Sequence, residues 1–482
     1  MHRVATLAEV RAADRAASAE VGEATLIARA AAAVAGTVLR AGLGAYGLRV
    51  TVLAGSGHNG ADAVRAGALL ARRGAAVTLV RSSSRAPDAH GAAALVALLA
   101  AGGRTAEALP RAADVVLDGM VGLGALGAGG GLTGRAADLA AAVARAGVPL
   151  VVAVDLPSGV DADTGAVGPG GAVRADVTVT FGARKPGLVV GAGADHAGAV
   201  EVADVGLGLT GAPGPGGVLT DADIAALLPV PGPADDKYSR GVVGLLTGSD
   251  RYPGAAVLGV GGAVRAGAGY VRHLGGGADA VRARFPPVVD GEGRCDAYVV
   301  GSGLGTDAAA QERVRALLAT DVPVVLDADG LAVGAAAIRG RGPGTLVTPH
   351  AGEFQRLTGV DPGGDPLGSA RRAADDLGVT VLLKGLRTVI AAPGGTWRIN
   401  ATGCPWLATA GTGDVLAGAA GALLAALAKR GHDPALLALD AGSAAAHLHG
   451  VAGWLASDGA PLAADALLDV WAAAVRSVRL RP

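Results

Sequence analysis

Two α/β domains, each built on a doubly wound parallel sheet, are what this sequence predicts, and three observations carry the prediction. Apolar strand-like runs alternate with Ala/Leu-rich helical runs from residue 48 to residue 154, the repeat that builds a parallel sheet. A Gly/Pro-rich stretch with little to bury, 205–217, interrupts the pattern. Beyond it, a second series of apolar runs ends in polar loops between residues 242 and 391. The chain's 482 residues exceed what one core fills, so domains at 1–212 and 219–482, joined by a linker at 213–218, are expected.

Composition narrows the function classes. Hydrophobic residues make up 51% and charged residues 17%, a globular balance, but aromatics are only 2%, so Val, Leu and Ala must fill the cores. A net charge of -1 with no basic run argues against nucleic acid or an anionic membrane as partner. Cys295 and Cys404 stand far apart, in no metal or disulfide spacing, which points to a reducing compartment. The opening MHRVATLAEVRAADRAA lacks the apolar segment of a signal peptide, and the Ala-rich runs are broken by Arg, Asp and Gly. A cytoplasmic protein without a membrane span is the expectation.

Residues 5–43 carry Ala, Val and Leu at helical spacing, broken near Gly22, and read as two helices. The run 48–54 (LRVTVLA) reads as a strand, followed by Gly55-Ser56-Gly57-His58-Asn59-Gly60 and a helix from 62 to 73. Strand, glycine loop and helix together make the geometry in which backbone N–H groups hold a phosphate or dinucleotide; a simple βα turn is the alternative. Strands at 76–81, 114–118 and 149–154 alternate with helices at 90–101 and 135–146. Ligands of such sheets bind beyond the carboxyl ends of the strands, where Asp118 and Asp155 each follow an apolar run directly. Each alone reads as a loop cap. Together, with Asn59 and Ser158 offering further oxygens, they suit a hard cation and a hydroxylated ligand. A further strand, 176–181, leads into a loop where Lys185 reads as a solvated lysine.

The succession HNGAD, DGMVGLG, VAVDLPSGVDADTG and VTVTFGARKPG resembles the NAD(P)H-hydrate epimerase domain, which has a Rossmann-like fold. The resemblance implies interconversion of the R and S forms of NADH or NADPH hydrated at C6 of the nicotinamide ring. It implies substrate contacts from His58, Asn59, Gly60, Ala61 and Asp62, and from Gly122, Leu123, Gly124, Ala125, Leu126, Gly127 and Ala128. It also implies a potassium ion on Asn59, Asp118 and Ser158, and an acid/base role against the substrate for Asp155. The family's first loop usually reads NNGGDG, so His58 and Ala61 depart from the pattern while Asn59 is retained.

In the second half, strands at 242–247, 296–300, 322–326, 345–348, 379–383 and 387–391 lead into polar or glycine-rich loops. The stretch 400–418, NATGCPWLATAGTGDVLAG, ends the series. Glycines on both sides of Thr412 let the backbone approach a ligand, and the apolar run 415–428 reads as a helix whose N–H groups point at it. Asp414 then has two open readings, a general base beside a bound phosphate or a plain N-cap.

The combination DADGL, TPHAGEF, LKG and AGTGDVLAG resembles the ribokinase-like superfamily and, within it, the ADP-dependent NAD(P)H-hydrate dehydratases. That resemblance implies hydrate contacts from Ala255, Gly303, His350, Ala351, Gly352 and Glu353, and places Asp414 on the reacting hydroxyl. It implies nucleotide contacts from Lys384, Gly385, Leu386, Arg387, Thr388, Cys404, Thr409, Ala410, Gly411, Thr412 and Gly413, with magnesium accompanying ADP. His350 as a satisfied loop histidine is the bland alternative, and Cys404 has nothing nearby to lower its pKa.

A ring hydroxyl is a poor leaving group, so a kinase-like site phosphorylates it first. With the substrate that the resemblance implies, the expected route has Asp414 take its proton while the GTG amides stabilise the transferring β-phosphoryl, and elimination of phosphate then leaves NAD(P)H and AMP. No Walker lysine motif is present. The competing reading is a kinase of a small metabolite, such as a vitamin precursor, fused to a non-catalytic dinucleotide-binding module. Hydrated NADH or NADPH and ADP are the expected partners of a homo-oligomer.

Overall fold

In a computed structural model the described residues are 1–42, 44–123, 130–209 and 214–480. They form two compact units, His2–Gly214 and Pro215–Pro482, the latter including Met1.

The first unit opens with β1 (His2–Arg3), α1 (Leu7–Val21) and α2 (Glu23–Arg40). Thr6 and Glu9 form a reciprocal capping box at the start of α1. Gly22, at φ 81°, makes the expected break, and the two helices bend there by 113°. There follow β2 (Arg49–Ala54), α3 (His58–Ala71), β3 (Ala76–Arg81), α4 (Ala89–Ala100), β4 (Arg104–Ala106), β5 (Val115–Gly119), α5 (Gly134–Ala146), β6 (Leu150–Val154), β7 (Val177–Phe181), α6 (Gly191–His196) and β8 (Ala199–Ala203). The strands form a seven-stranded sheet, β4-β3-β2-β5-β6-β7-β8, parallel at every pairing. Side chains alternate between its faces: Val50, Val52 and Ala54 join the core that includes residues of α2, α3 and α4, while Leu53 joins the core against α5.

Strand order reverses at β2, which lies between β3 and β5, so the crevice for a ligand opens at the carboxyl ends of β2 and β5. The helix after β2 starts four residues earlier than the sequence suggested, at His58. Its N-cap is Gly57, and a Cβ on Gly60 would stand 2.4 Å from the Gly55 carbonyl oxygen. Only glycine lets the first turn of α3 start so close to the strand end, and the predicted loop residues His58–Asp62 are that first turn.

The second unit contains β9 (Gly216–Val218), α7 (Asp221–Leu227), β10 (Val242–Leu246), α8 (Pro253–Arg265), β11 (Tyr270–His273), α9 (Ala278–Arg284), β12 (Val289–Asp290), β13 (Ala297–Val300), α10 (Ala308–Leu318), β14 (Val324–Leu326), α11 (Ala335–Ile338), β15 (Thr345–Val347), α12 (Ala351–Thr358), α13 (Pro366–Leu377), β16 (Thr380–Leu383), β17 (Thr388–Ala391), β18 (Trp397–Asn400), α14 (Thr412–Lys429), α15 (Leu437–Ser457) and α16 (Ala466–Leu480). Its strands run β9-β18-β17-β16-β15-β14-β13-β10-β11-β12. Pairing is parallel from β12 through to β16, and β17 runs antiparallel to both of its neighbours, β16 and β18. The end of the expected linker is therefore not a linker: Gly216–Val218 pairs parallel with β18. A Cβ on Gly216 would meet the Trp397 ring at 2.2 Å, so the indole covers a strand that has no side chain there.

The apolar helix α14 runs through the core of this unit, and it is the one described helix long and apolar enough to cross a membrane. It is 78% buried over that length by the rest of the protein. Glycines let α8 touch it backbone to backbone: a Cβ on Gly418 would lie 1.9 Å from the Gly259 carbonyl oxygen. That contact fixes the helix whose first turn carries Asp414.

Candidate active sites

In the first unit a cavity of about 710 Å³ is lined by His58, Asn59, Gly60, Asp62, Gly122, Leu123 and Asp155 among the residues expected there. Ala61 turns instead into the core, 1% exposed. Gly124, Ala125, Leu126, Gly127 and Ala128 lie outside the described residues.

Asp155 has φ 63°, an uncommon conformation for a residue with a Cβ, and its N–H is tied to the Val179 carbonyl at 2.8 Å. This turn aims its carboxylate at the end of β7. Oδ1 accepts from Lys185 Nζ at 2.5 Å, from the Thr180 hydroxyl at 3.1 Å and from the Phe181 N–H at 3.2 Å. Lys185 is fully buried, not solvated, and its ammonium also donates to Thr180 Oγ1 at 2.9 Å and the Phe181 carbonyl at 3.1 Å. All three ammonium protons thus have acceptors. The sequence pattern reads Lys185 as solvated because its partners, Asp155 and Thr180, are not visible from the local motif.

Asp118, Ser158 and Asn59 converge at one point. The buried Asp118 carboxylate accepts from the Ser158 hydroxyl at 2.6 Å, the Ser158 N–H at 2.8 Å and the Met120 N–H at 3.3 Å. Ser158 Oγ in turn accepts from the Val121 N–H at 2.9 Å, and Asn59 Nδ2 donates to the Val121 carbonyl at 3.4 Å. Burial pushes the Asp118 carboxyl up, against those hydrogen bonds. No cation pairs with it among the described residues. A buried carboxylate with neutral oxygen neighbours fits a weakly charged hard ion rather than a multi-carboxylate metal. At the mouth, Glu23 holds both His58 Nε2, at 2.9 Å, and His90 Nε2, at 3.0 Å.

In the second unit a cavity of about 540 Å³ is lined by His350, Lys384, Gly385, Leu386, Thr388, Cys404, Thr409, Ala410, Thr412 and Gly413 among the expected residues. Arg387 is not part of this lining, because its guanidinium donates to the Ala401 carbonyl at 2.8 Å. Gly411 stands behind it as the N-cap of α14 at φ 91°. Buried His449, which the sequence reading did not single out, joins the wall; its Nε2 lies 2.9 Å from the Thr412 carbonyl and burial pulls it down to about 4, so the ring is neutral.

Asp414 is in the first turn of α14, three residues after the N-cap, and Gly411 makes no side-chain cap. The N-cap reading of Asp414 therefore does not hold. Burial pushes its carboxyl up to about 6, the neighbouring Asp327 charge adds to the rise, and the Ser302 hydroxyl and Lys384 oppose it. Lys384 Nζ lies 2.8 Å from Asp327 Oδ1 and 3.6 Å from Glu353 Oε2. Burial works against that ammonium, but the two carboxylates outweigh it and hold it charged. Asp327 is further fixed by Ser302, at 3.0 Å, and Thr348, at 2.8 Å.

Sheet order reverses at β10, between β13 and β11, and there Ala255 and Gly303 meet: a Cβ on Gly303 would stand 2.6 Å from that of Ala255. His350 caps α12, its Nδ1 accepting from the Gly352 and Glu353 N–H groups, while Ala351, Gly352 and Glu353 form the first turn. The bland reading of a satisfied histidine holds for Nδ1; Nε2 lies 3.5 Å from Glu353 Oε1. The second unit thus joins a cationic cradle and a carboxylate poised to accept a proton near neutrality, the parts of a phosphoryl-transfer site.

Residues 243–470 match the family model described as NAD(P)H-hydrate dehydratase, and residues 23–187 match that described as YjeF-related protein N-terminus. The chain is 46% identical over 438 residues to the bifunctional NAD(P)H-hydrate repair enzyme Nnr of Mycobacterium leprae, covering 88% of this chain and 90% of that one. It is 49% identical over 390 residues to the protein of the same name from Mycobacterium tuberculosis, covering 79% and 80%. Among solved structures, the ADP/ATP-dependent NAD(P)H-hydrate dehydratase of Bacillus subtilis, co-crystallised with ATP and magnesium, is 30% identical and covers 54% of this chain and 98% of its own, with a TM-score of 0.48.

Proposed function

The chain belongs to the bifunctional NAD(P)H-hydrate repair enzymes, and from that premise we propose how its two cavities divide the work. The first unit epimerises the R and S forms of hydrated NADH or NADPH; the second dehydrates the S form at the expense of ADP, releasing AMP and phosphate. Family membership favours this over a small-metabolite kinase with a non-catalytic partner module.

The observation that carries the dehydratase assignment is Asp414, a half-buried carboxyl raised to about 6 at the glycine-started end of α14. Above that pH it accepts the proton of the C6 hydroxyl as oxygen attacks the β-phosphoryl. The bond from that phosphorus to the bridging oxygen breaks and AMP leaves. Lys384 and the N–H groups at the start of α14 stabilise the charge gathering on the phosphoryl oxygens. Phosphate then departs from C6, its bonding electrons going with it, and loss of a ring proton restores the dihydronicotinamide. Magnesium, when bound with the nucleotide, would neutralise phosphate charge.

In the first unit C6 carries both a hydroxyl and the ring nitrogen, so its configuration inverts by breaking one of those bonds and re-forming it on the other face. Asp155 moves the hydroxyl proton, and the buried Lys185 ammonium holds that carboxylate in place. Asn59, Asp118 and Ser158 would hold potassium, whose charge would balance the buried Asp118 and fix the loop 120–123 against the substrate. Incubating the protein with S-hydrate, ADP and magnesium tests the reading: the dihydronicotinamide band should appear with one free phosphate per AMP. A stable phosphorylated product without that band would return the second unit to the kinases.

A further inference from the structure

We infer that Asp62 is a second catalytic carboxyl of the epimerase cavity, a neutral acid that gives its proton to the substrate while Asp155 accepts one. The inference rests on the epimerase reading of this cavity. Asp62 is 8% exposed and lines the same cavity as Asp155, and its Oδ1 is fully buried with no hydrogen-bond partner among the described residues. A buried carboxyl oxygen left unpaired costs free energy unless a ligand satisfies it.

The two carboxyls have opposite surroundings. Asp155 meets an ammonium, a hydroxyl and an N–H, all favouring the charged form. Asp62 meets burial first and then the negative charges of Asp155, of Asp14 on α1 and of Asp88 at the start of α4, so its carboxyl is held well above the usual range. Asp14 is itself raised by burial, and the nearest histidine to it, His58, is held by Glu23. One carboxyl hydrogen-bonded to an ammonium and one buried without a cation, in one cavity, is the arrangement that separates a base from an acid.

The step balances without any further reagent. Asp155 takes the hydroxyl proton, the C6–N1 bond breaks with its electron pair going to N1, and the Asp62 proton is delivered to N1. The freed C6 aldehyde turns about its bond to C5. Ring closure reverses both transfers, so N1 returns its proton to Asp62 and the aldehyde oxygen recovers the proton held by Asp155. Both carboxyls end as they began.

The test is Asp62→Asn in the full-length protein, assayed for epimerisation of purified R-hydrate across pH. Asparagine keeps the shape and can donate a hydrogen bond, but it cannot release a proton. Wild type should lose kcat on the alkaline side as Asp62 ionises. The variant should lose kcat by about 10²–10⁴-fold with KM nearly unchanged, and with no alkaline limb left in what remains. Asp62→Ser carries the same expectation should asparagine prevent folding. In the infrared spectrum, the carbonyl band of a protonated carboxyl should be present in wild type and absent from the variant. A variant with wild-type kcat, or one whose loss is confined to KM, overturns the inference. A wild-type protein that does not epimerise R-hydrate overturns the epimerase reading itself, and the inference with it.

Discussion

Lys185 Nζ sits 2.5 Å from Asp155 Oδ1, and the lysine side chain is fully buried. Removing one partner of such a pair leaves an uncompensated buried charge, typically about 3–5 kcal/mol destabilising. Lys185→Met should therefore lower the thermal midpoint and reduce epimerisation, while dehydration of S-hydrate persists at temperatures where the protein stays folded. An unchanged midpoint would mean that the ammonium contributes nothing to the buried carboxylate.

Asp155→Asn keeps the shape of the turn at φ 63° but removes the proton acceptor. Epimerisation should fall by about 10²–10⁴-fold, with dehydration of pure S-hydrate unaffected. Loss of both activities together would show that Asp155 maintains the fold rather than the chemistry.

The buried Asp118 carboxylate and the Ser158 hydroxyl lie together, and the Asn59 amide is bonded to the Val121 carbonyl beside them. Crystals grown with rubidium or thallium in place of potassium should show an anomalous peak among these three residues. A featureless map there would remove the ion.

Much of this was legible in the sequence because the chemistry sits at strand ends. Asp118 closes an apolar run and Asp155 follows the next, and Gly411-Thr412-Gly413-Asp414 precedes a long apolar helix, so local pattern sufficed. What escaped depended on partners distant in the chain. Lys185 looks solvated until Asp155, thirty residues earlier, is seen beneath it. Gly216–Val218 looks like linker because its strand is short and its cover is the Trp397 indole. The unpaired oxygen of Asp62 belongs to burial, which no motif encodes.

Asp414 gives opposite signs to activity and stability with pH. Its folded carboxyl titrates at about 6 against an ordinary 3.8, so between those values the folded protein holds a proton that the unfolded chain has released. The stability it contributes is full below the lower value and is lost as pH rises through about 6. Asp414→Asn should therefore gain thermal midpoint over wild type at about pH 8 but not at about pH 4, while dehydration falls by about 10²–10⁴-fold with ADP binding retained. In wild type, turnover on S-hydrate should rise with pH through about 6. Normal turnover in the variant would sink the role of Asp414 as base.

The two-reaction assignment is tested most directly by giving purified R-hydrate, ADP and magnesium to the intact protein and following the dihydronicotinamide band. Wild type should convert all of the R-hydrate, since each molecule epimerised in the first cavity is dehydrated in the second. Asp155→Asn should give only the slow trace set by spontaneous epimerisation, and the full rate should return when S-hydrate is supplied instead. Wild type that converts R-hydrate no faster than Asp155→Asn does would contradict the assignment of an epimerase to the first unit.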